Sequence, residues 1–128
     1  SDDLVQRQSS RPDFSILFYP VITMGTGVTH KGSRRNLLGP GHSEELAQRY
    51  SNETQVGKDT PPTFLLHCSD DQAVAVENSL LFYRQLLKHG IKSQLLIYET
   101  GGHGPAAFLQ NPTWWKALTH WLDKRGCI

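Results

Sequence analysis

A chain of 128 residues is long enough to bury roughly two-thirds of its unfolded surface around one core. Its apolar content of 38% keeps it clear of the disordered range, and its formal net charge of +1 gives no long-range field that would draw nucleic acid or an anionic membrane. No apolar run nears the ~20 residues of a membrane span, and Ser1-Asp2-Asp3-Leu4 lacks the basic start and apolar core of a signal peptide.

Residues 1–13 are polar. Phe14-Ser15-Ile16-Leu17-Phe18-Tyr19 is aromatic and apolar, stops at Pro20, and reads as a strand. From residue 20 to about 60 the texture changes to scattered glycines, a basic group of Lys31, Arg34 and Arg35 read as a solvated loop, and little periodicity. One short helix opens inside it at Ser43-Glu44-Glu45-Leu46, with Ser43 as N-cap and acids in the first turn. Thr60-Pro61-Pro62 sets an extended entry into a second strand, Phe64-Leu65-Leu66-His67. Between Val76 and His89 the spacing of Val76, Leu80, Tyr83 and Leu87, widened by Leu86, predicts a helix that Gly90 ends. A third strand covers about 93–98. Asn111-Pro112 then reads as N-cap and first residue of a last helix with Trp114, Leu118, Trp121 and Leu122 on one face. The three tryptophans read as core rather than as a sugar platform.

Strand, long excursion, strand, helix, strand, helix is the order of an α/β fold with a parallel sheet. Three strands make a thin sheet, because parallel strands are normally flanked and covered on both faces. The strand at 14–19 would leave an apolar edge with unpaired backbone groups. Either a missing N-terminal portion or a second copy of the chain is expected to cover it.

The chemistry gathers at two loops. Cys68-Ser69-Asp70-Asp71 follows the second strand, and Glu99-Thr100-Gly101-Gly102-His103-Gly104 follows the third. A carboxylate that orients an imidazole leaves its other nitrogen free to take a proton from a hydroxyl. An acid after one strand and a histidine after the next is also the order of the α/β-hydrolase triad, in which the serine comes first. No Gly-x-Ser-x-Gly elbow is present. Taken singly, His103 reads as a surface-loop histidine and Asp71 as a helix-capping acid. The six histidines have no metal spacing, so no metal and no cofactor is expected. The two cysteines, Cys68 and Cys127, read as reduced thiols, which mildly favours a cytoplasmic setting.

Several segments together resemble the C-terminal half of α/β-hydrolases of the acetyl esterase/lipase group, the acetylxylan-esterase-like and dienelactone-hydrolase-like enzymes. They are Phe18-Tyr19-Pro20-Val21-Ile22-Thr23-Met24, residues 32–39, Tyr50-Ser51-Asn52-Glu53, Thr60-Pro61-Pro62-Thr63-Phe64, the Asp-Asp loop with Val76-Glu77-Asn78-Ser79, and Gly101-Gly102-His103-Gly104. The resemblance implies a single partial α/β-hydrolase domain over 1–128, with about 20–60 as a small cap-like segment. It implies Asp71, rather than Asp70, as catalytic acid and His103 as general base. Two positions depart from the family pattern: Ala75 stands where proline is usual, and Pro105-Ala106 follow the histidine where an aromatic or glycine is common.

The nucleophile has no convincing candidate. Gly41-His42-Ser43 imitates half an elbow, but it lacks the closing glycine and no strand runs into it. Ser33, Ser69, Ser79 and Cys68 are weaker still. What the resemblance implies is therefore a serine carboxylic-ester hydrolase whose serine lies outside this chain. Its substrate would be a small ester such as an acetylated carbohydrate, with no nucleic acid and no membrane as partner. Two alternatives stand beside it: half of a serine peptidase, and a truncated non-catalytic module that binds a ligand or self-associates through the 14–19 edge.

Overall fold

The computed structural model describes residues 2–25 and 27–128, so Ser1 of the polar start and Thr26 of the irregular stretch lie outside it. In chain order the elements are β1 (Ser15–Phe18), α1 (Lys31–Leu38), α2 (Glu44–Arg49), a 3-10 turn (Asn52–Thr54), β2 (Thr63–Cys68), α3 (Glu77–Lys88), β3 (Ser93–Tyr98), α4 (Ala106–Gln110) and α5 (Trp114–Asp123). The three strands form one parallel sheet in the order β1-β2-β3. The architecture is the α/β one expected, with β1 at an edge of the sheet.

Strand alternation divides the core in two. Leu17, Leu65 and Leu95 face α3 and pack with Ile22, Val56, Phe82 and Leu86. Ile16, Phe18, Phe64, Leu66, Leu96 and Tyr98 face α5 and pack with Leu118 and Trp121. All six residues of β2 are buried, as a central parallel strand covered on both faces requires. Trp114 and Leu122 join the α5 face, as their spacing predicts, while Trp115 is exposed.

Four readings are corrected. Of the face expected on α3, Leu86 is buried and Tyr83 packs against the core, but Leu80 and Leu87 are exposed, and the buried stripe is Asn78, Ser79, Phe82 and Leu86. The apolar spacing misplaced the face because two polar residues occupy it. Lys31, Arg34 and Arg35 lie on a helix, α1, which buries none of its residues and so shows no apolar period. It is opened by His30, whose ring accepts from Ser33 N at 3.1 Å. Helix α4 was not foreseen; it is five residues long and buries only Ala107. Asn111 does not cap α5, because its amide donates to Thr100 O and Ala107 O, tying the end of α4 to the loop after β3. Ser43 does cap α2, accepting from Leu46 N at 3.1 Å.

Asn78 binds α3 to the segment after β1. Its Oδ1 accepts from Ile22 N and Thr23 N at 2.9 and 3.1 Å, and its Nδ2 donates to Val28 O and Ala75 O at 2.8 and 3.1 Å. The side chain is fully buried and every hydrogen-bonding position is used. Asn78→Ala should therefore strand the buried Ile22 and Thr23 amides, take a donor from Val28 O, and cost about 3 kcal/mol in urea unfolding. A loss below about 1 kcal/mol would contradict this role.

Candidate active site

The parallel register brings the two loops together. Cys68 pairs with Tyr98 at the ends of β2 and β3, and Ser69 N still donates to Tyr98 O at 2.8 Å beyond the last pair. The acid and histidine loops thus leave neighbouring strands at the same end, the carboxyl end where open α/β sheets place their sites.

Asp71 turns back on its own loop: Oδ1 accepts from Ala73 N at 2.9 Å and from Val74 N at 2.8 Å. Its Oδ2 lies 2.8 Å from His103 Nδ1. The capping role and the pairing with His103 are thus two ends of one carboxylate. Burial opposes its charge most strongly, but the Val74 N–H, the His103 ring and the Ala73 N–H together outweigh it and hold the carboxyl below the usual aspartate range. An ionised Oδ2 only accepts, so His103 carries its hydrogen on Nδ1 and, as neutral imidazole, keeps Nε2 as a proton acceptor. The Asp71 side chain is sealed from solvent while that of His103 is 36% exposed. Among the described residues Nε2 of His103 has no hydrogen-bond partner.

Asp70 faces the other way and holds the histidine loop. Its carboxylate accepts from Gly101 N at 3.2 Å and from Gly102 N at 2.8 Å. Gly101 has φ +146°, and a Cβ there would stand 2.7 Å from Cys68 Sγ and 2.9 Å from Ala107 Cα. Only glycine lets the loop close down this far. Beside it, Tyr19 has φ 40°, left-handed for a side-chain-bearing residue, and its ring lies 4.4 Å from the His103 ring, centroid to centroid. Such backbone strain costs about 1–3 kcal/mol and gathers at functional sites. The two rings meet tilted at 54°.

Behind the carboxylate sits His67, fully buried, with Nε2 2.9 Å from Val74 O and 3.2 Å from Asp71 Oδ2, and Nδ1 2.7 Å from Ser79 Oγ. Sequence reasoning saw His67 only as a strand end, and saw neither the Asp70 clamp nor the Tyr19 ring. A polar residue in an apolar strand was the available signal for His67. Of the serines weighed as nucleophile, Ser43 caps α2, Ser33 lies in α1 beside its capping histidine, His30, and Ser79 is wholly buried, while Ser69 is exposed at the end of β2. Cys68 is a buried free thiol, pushed up in pKa by burial first and by Asp70 and Asp71 next, and Cys127 is free and exposed. Among the described residues no group of histidine, cysteine and carboxylate side chains could hold a metal ion.

Comparison with known proteins gives the site its context. The prolyl oligopeptidase family model matches residues 22–126. An endo-1,4-beta-xylanase B of Butyrivibrio fibrisolvens is 43% identical over 96 residues, which are 75% of this chain and 15% of that protein. An acetylxylan esterase of Xylanibacter ruminicola is 41% identical over 98 residues, 73% of this chain and 20% of the esterase. The solved acetyl ester-xyloside bifunctional hydrolase of Caldicellulosiruptor lactoaceticus superposes with a TM-score of 0.92 at 41% identity, covering 100% of this chain and 48% of its own. A carboxylesterase of Lactobacillus plantarum shares the fold, with a TM-score of 0.72 at 22% identity over 91% of this chain and 46% of its own. The chain thus spans a fifth or less of these curated relatives and about half of the solved ones.

A carboxyl held below its ordinary range stabilises the fold above that range, and the contribution is lost as pH falls through the lowered value. Urea unfolding of the parent chain and of Asp71→Asn should therefore differ by about 2 kcal/mol near neutrality. The gap should persist through about pH 3.9, the ordinary aspartate value, and close only below it. A gap that closes well above that pH would contradict the Asp71 geometry.

Proposed function

Because the chain belongs to the prolyl oligopeptidase family of α/β-hydrolases, we propose that it supplies the acid and the base of a serine carboxylic-ester hydrolase. The observation that carries this reading is the 2.8 Å contact between Asp71 and His103 Nδ1, with Nε2 of the same ring left unpartnered among the described residues. His103 takes the proton of a serine hydroxyl as the serine attacks an ester carbonyl, and returns a proton to the departing alcohol. Asp71 orients the ring and stabilises the imidazolium formed between these steps. The serine comes from a polypeptide portion that this sequence does not contain, since it has no Gly-x-Ser-x-Gly elbow. Backbone amides of that portion complete the oxyanion hole.

That portion docks along β1, whose outer edge pairs with no strand among the described residues. Next to the edge a cavity of about 330 Å³ is lined in part by Leu17, Pro20, Val21, Ile22, Val56 and Phe82, an apolar surface of the kind a covering element buries. A second copy of the chain is the competing occupant of that edge. Small acyl esters, above all acetyl groups on a carbohydrate, are the proposed substrates, because the relatives at 41% identity are named as an acetylxylan esterase and an acetyl ester-xyloside hydrolase. Peptide hydrolysis is the second reading, favoured by the name of the matching family.

In the polypeptide that joins this chain to its serine-bearing portion, His103→Ala and Asp71→Asn should each lower kcat on p-nitrophenyl acetate by about 10⁴-fold, with KM changed little. A loss under about tenfold for His103→Ala would remove it from the role of base. A p-nitroanilide peptide turned over faster than the ester would transfer the same residues to the peptidase reading.

A further inference from the structure

We propose that His67 is a positioning residue, an imidazole held beneath the sheet's surface that fixes the plane of the Asp71 carboxylate through an Nε2–H donor. This rests on the reading of Asp71 and His103 as acid and base, and adds a third member to their arrangement.

The position is one where the packing asks for an apolar side chain. Thr63, Leu65 and His67 form the row of β2 that faces α3, and Leu65 lies in the apolar cluster on that side. An imidazole enclosed there is destabilising unless both nitrogens are bonded. They are, and the partners dictate where the hydrogen sits. Val74 O at 2.9 Å and Asp71 Oδ2 at 3.2 Å accept only, and both face Nε2, so the hydrogen is on Nε2. Ser79 in the first turn of α3 then donates its hydroxyl to Nδ1 across 2.7 Å. A chain of contacts runs from α3 through Ser79 and His67 to Asp71, and from Asp71 to His103.

His67 controls a degree of freedom that the loop leaves open. The Ala73 and Val74 amides anchor Oδ1 of Asp71 but do not fix the direction of Oδ2 about that anchor. His67 and His103 both meet Oδ2, one from the core and one from the surface. The hydrogen bond of Nε2 goes to Val74 O and Oδ2 stands 3.2 Å from the same nitrogen, so the carboxylate and the turn that carries it both meet one rigid group. With Oδ2 aimed, His103 is held in the tautomer that leaves Nε2 free. His67 is 1% exposed and lies behind the acid, so it touches no reacting atom. Leucine would fill the space but would leave Oδ2 and Val74 O without this donor; glutamine could still present an N–H.

The test uses the full 128-residue chain with ¹⁵N-labelled histidines, and reads which ring nitrogen bears hydrogen from two-bond ¹⁵N–¹H spectra at mildly alkaline pH. The unchanged chain should show hydrogen on Nε2 of His67 and on Nδ1 of His103. In folded His67→Leu the Nδ1–H to Nε2–H ratio at His103 should fall about tenfold, equivalent to about 1.4 kcal/mol. His67→Gln should bring the ratio back to within about threefold of the parent. Hydrogen on Nδ1 of His67 in the unchanged chain overturns the proposal whether or not any variant folds. So does a folded His67→Leu chain with the parent ratio, and that result leaves the Asp71–His103 pair standing. Hydrogen on Nε2 of His103 in the unchanged chain overturns the pair itself, and the role of His67 with it.

Discussion

One buried carboxylate organises this end of the molecule. Asp71 accepts from two backbone amides through Oδ1 and meets two imidazoles through Oδ2. Its charge is tolerable in a buried place because these donors surround it, and they are usefully arranged because the charge holds them. The turn into α3 and the ring of His103 take their orientation from this one group, and His67, held by Ser79 and Val74 O, backs it from the core. A neutral side chain of the same shape would leave donors facing donors.

The sheet delivers the carboxylate to the histidine with little loop. Parallel pairing in register ends β2 and β3 side by side, so three residues past Cys68 and five past Tyr98 suffice to bring acid and base into contact. The short reach demands local concessions. Gly101 must lack a side chain to pass over Cys68, Asp70 must hold the backbone of the glycine pair, and Tyr19 accepts a left-handed conformation at the end of β1. These surround His103 on the loop side and on the β1 side. The apolar edge of β1, and the cavity beside it, lie on the flank from which the proposed serine would arrive.

The pattern in the sequence was clearest where one kind of force dominates. Apolar runs bounded by proline, by the acid loop or by a glycine-rich loop marked all three strands, and the tryptophan spacing marked the buried face of α5. Asp71 and His103 were legible because chain order and strand position carry the chemistry, and the structure puts them in contact. What escaped was decided by polar groups with buried work. Asn78 and Ser79 turned the α3 face away from the one its leucines suggested, and His67 looked like a strand end rather than a partner of the acid. Helix α1 escaped for the opposite reason, since a helix that buries nothing has no apolar period to read. The strain at Tyr19 and the Asp70 clamp follow from the closed geometry of the loops, which no local pattern encodes.

The most direct test of the account labels activated serine with a fluorophosphonate and reads intact mass. It is applied to the chain alone, and to the chain mixed with a separately produced α/β-hydrolase half that carries the Gly-x-Ser-x-Gly serine. The account predicts no adduct on the chain alone, and a single adduct on the elbow serine of the mixture that disappears when His103 is replaced by glutamine. An adduct on Ser43 or any other residue of the chain alone, or an elbow serine labelled equally well without His103, would contradict it.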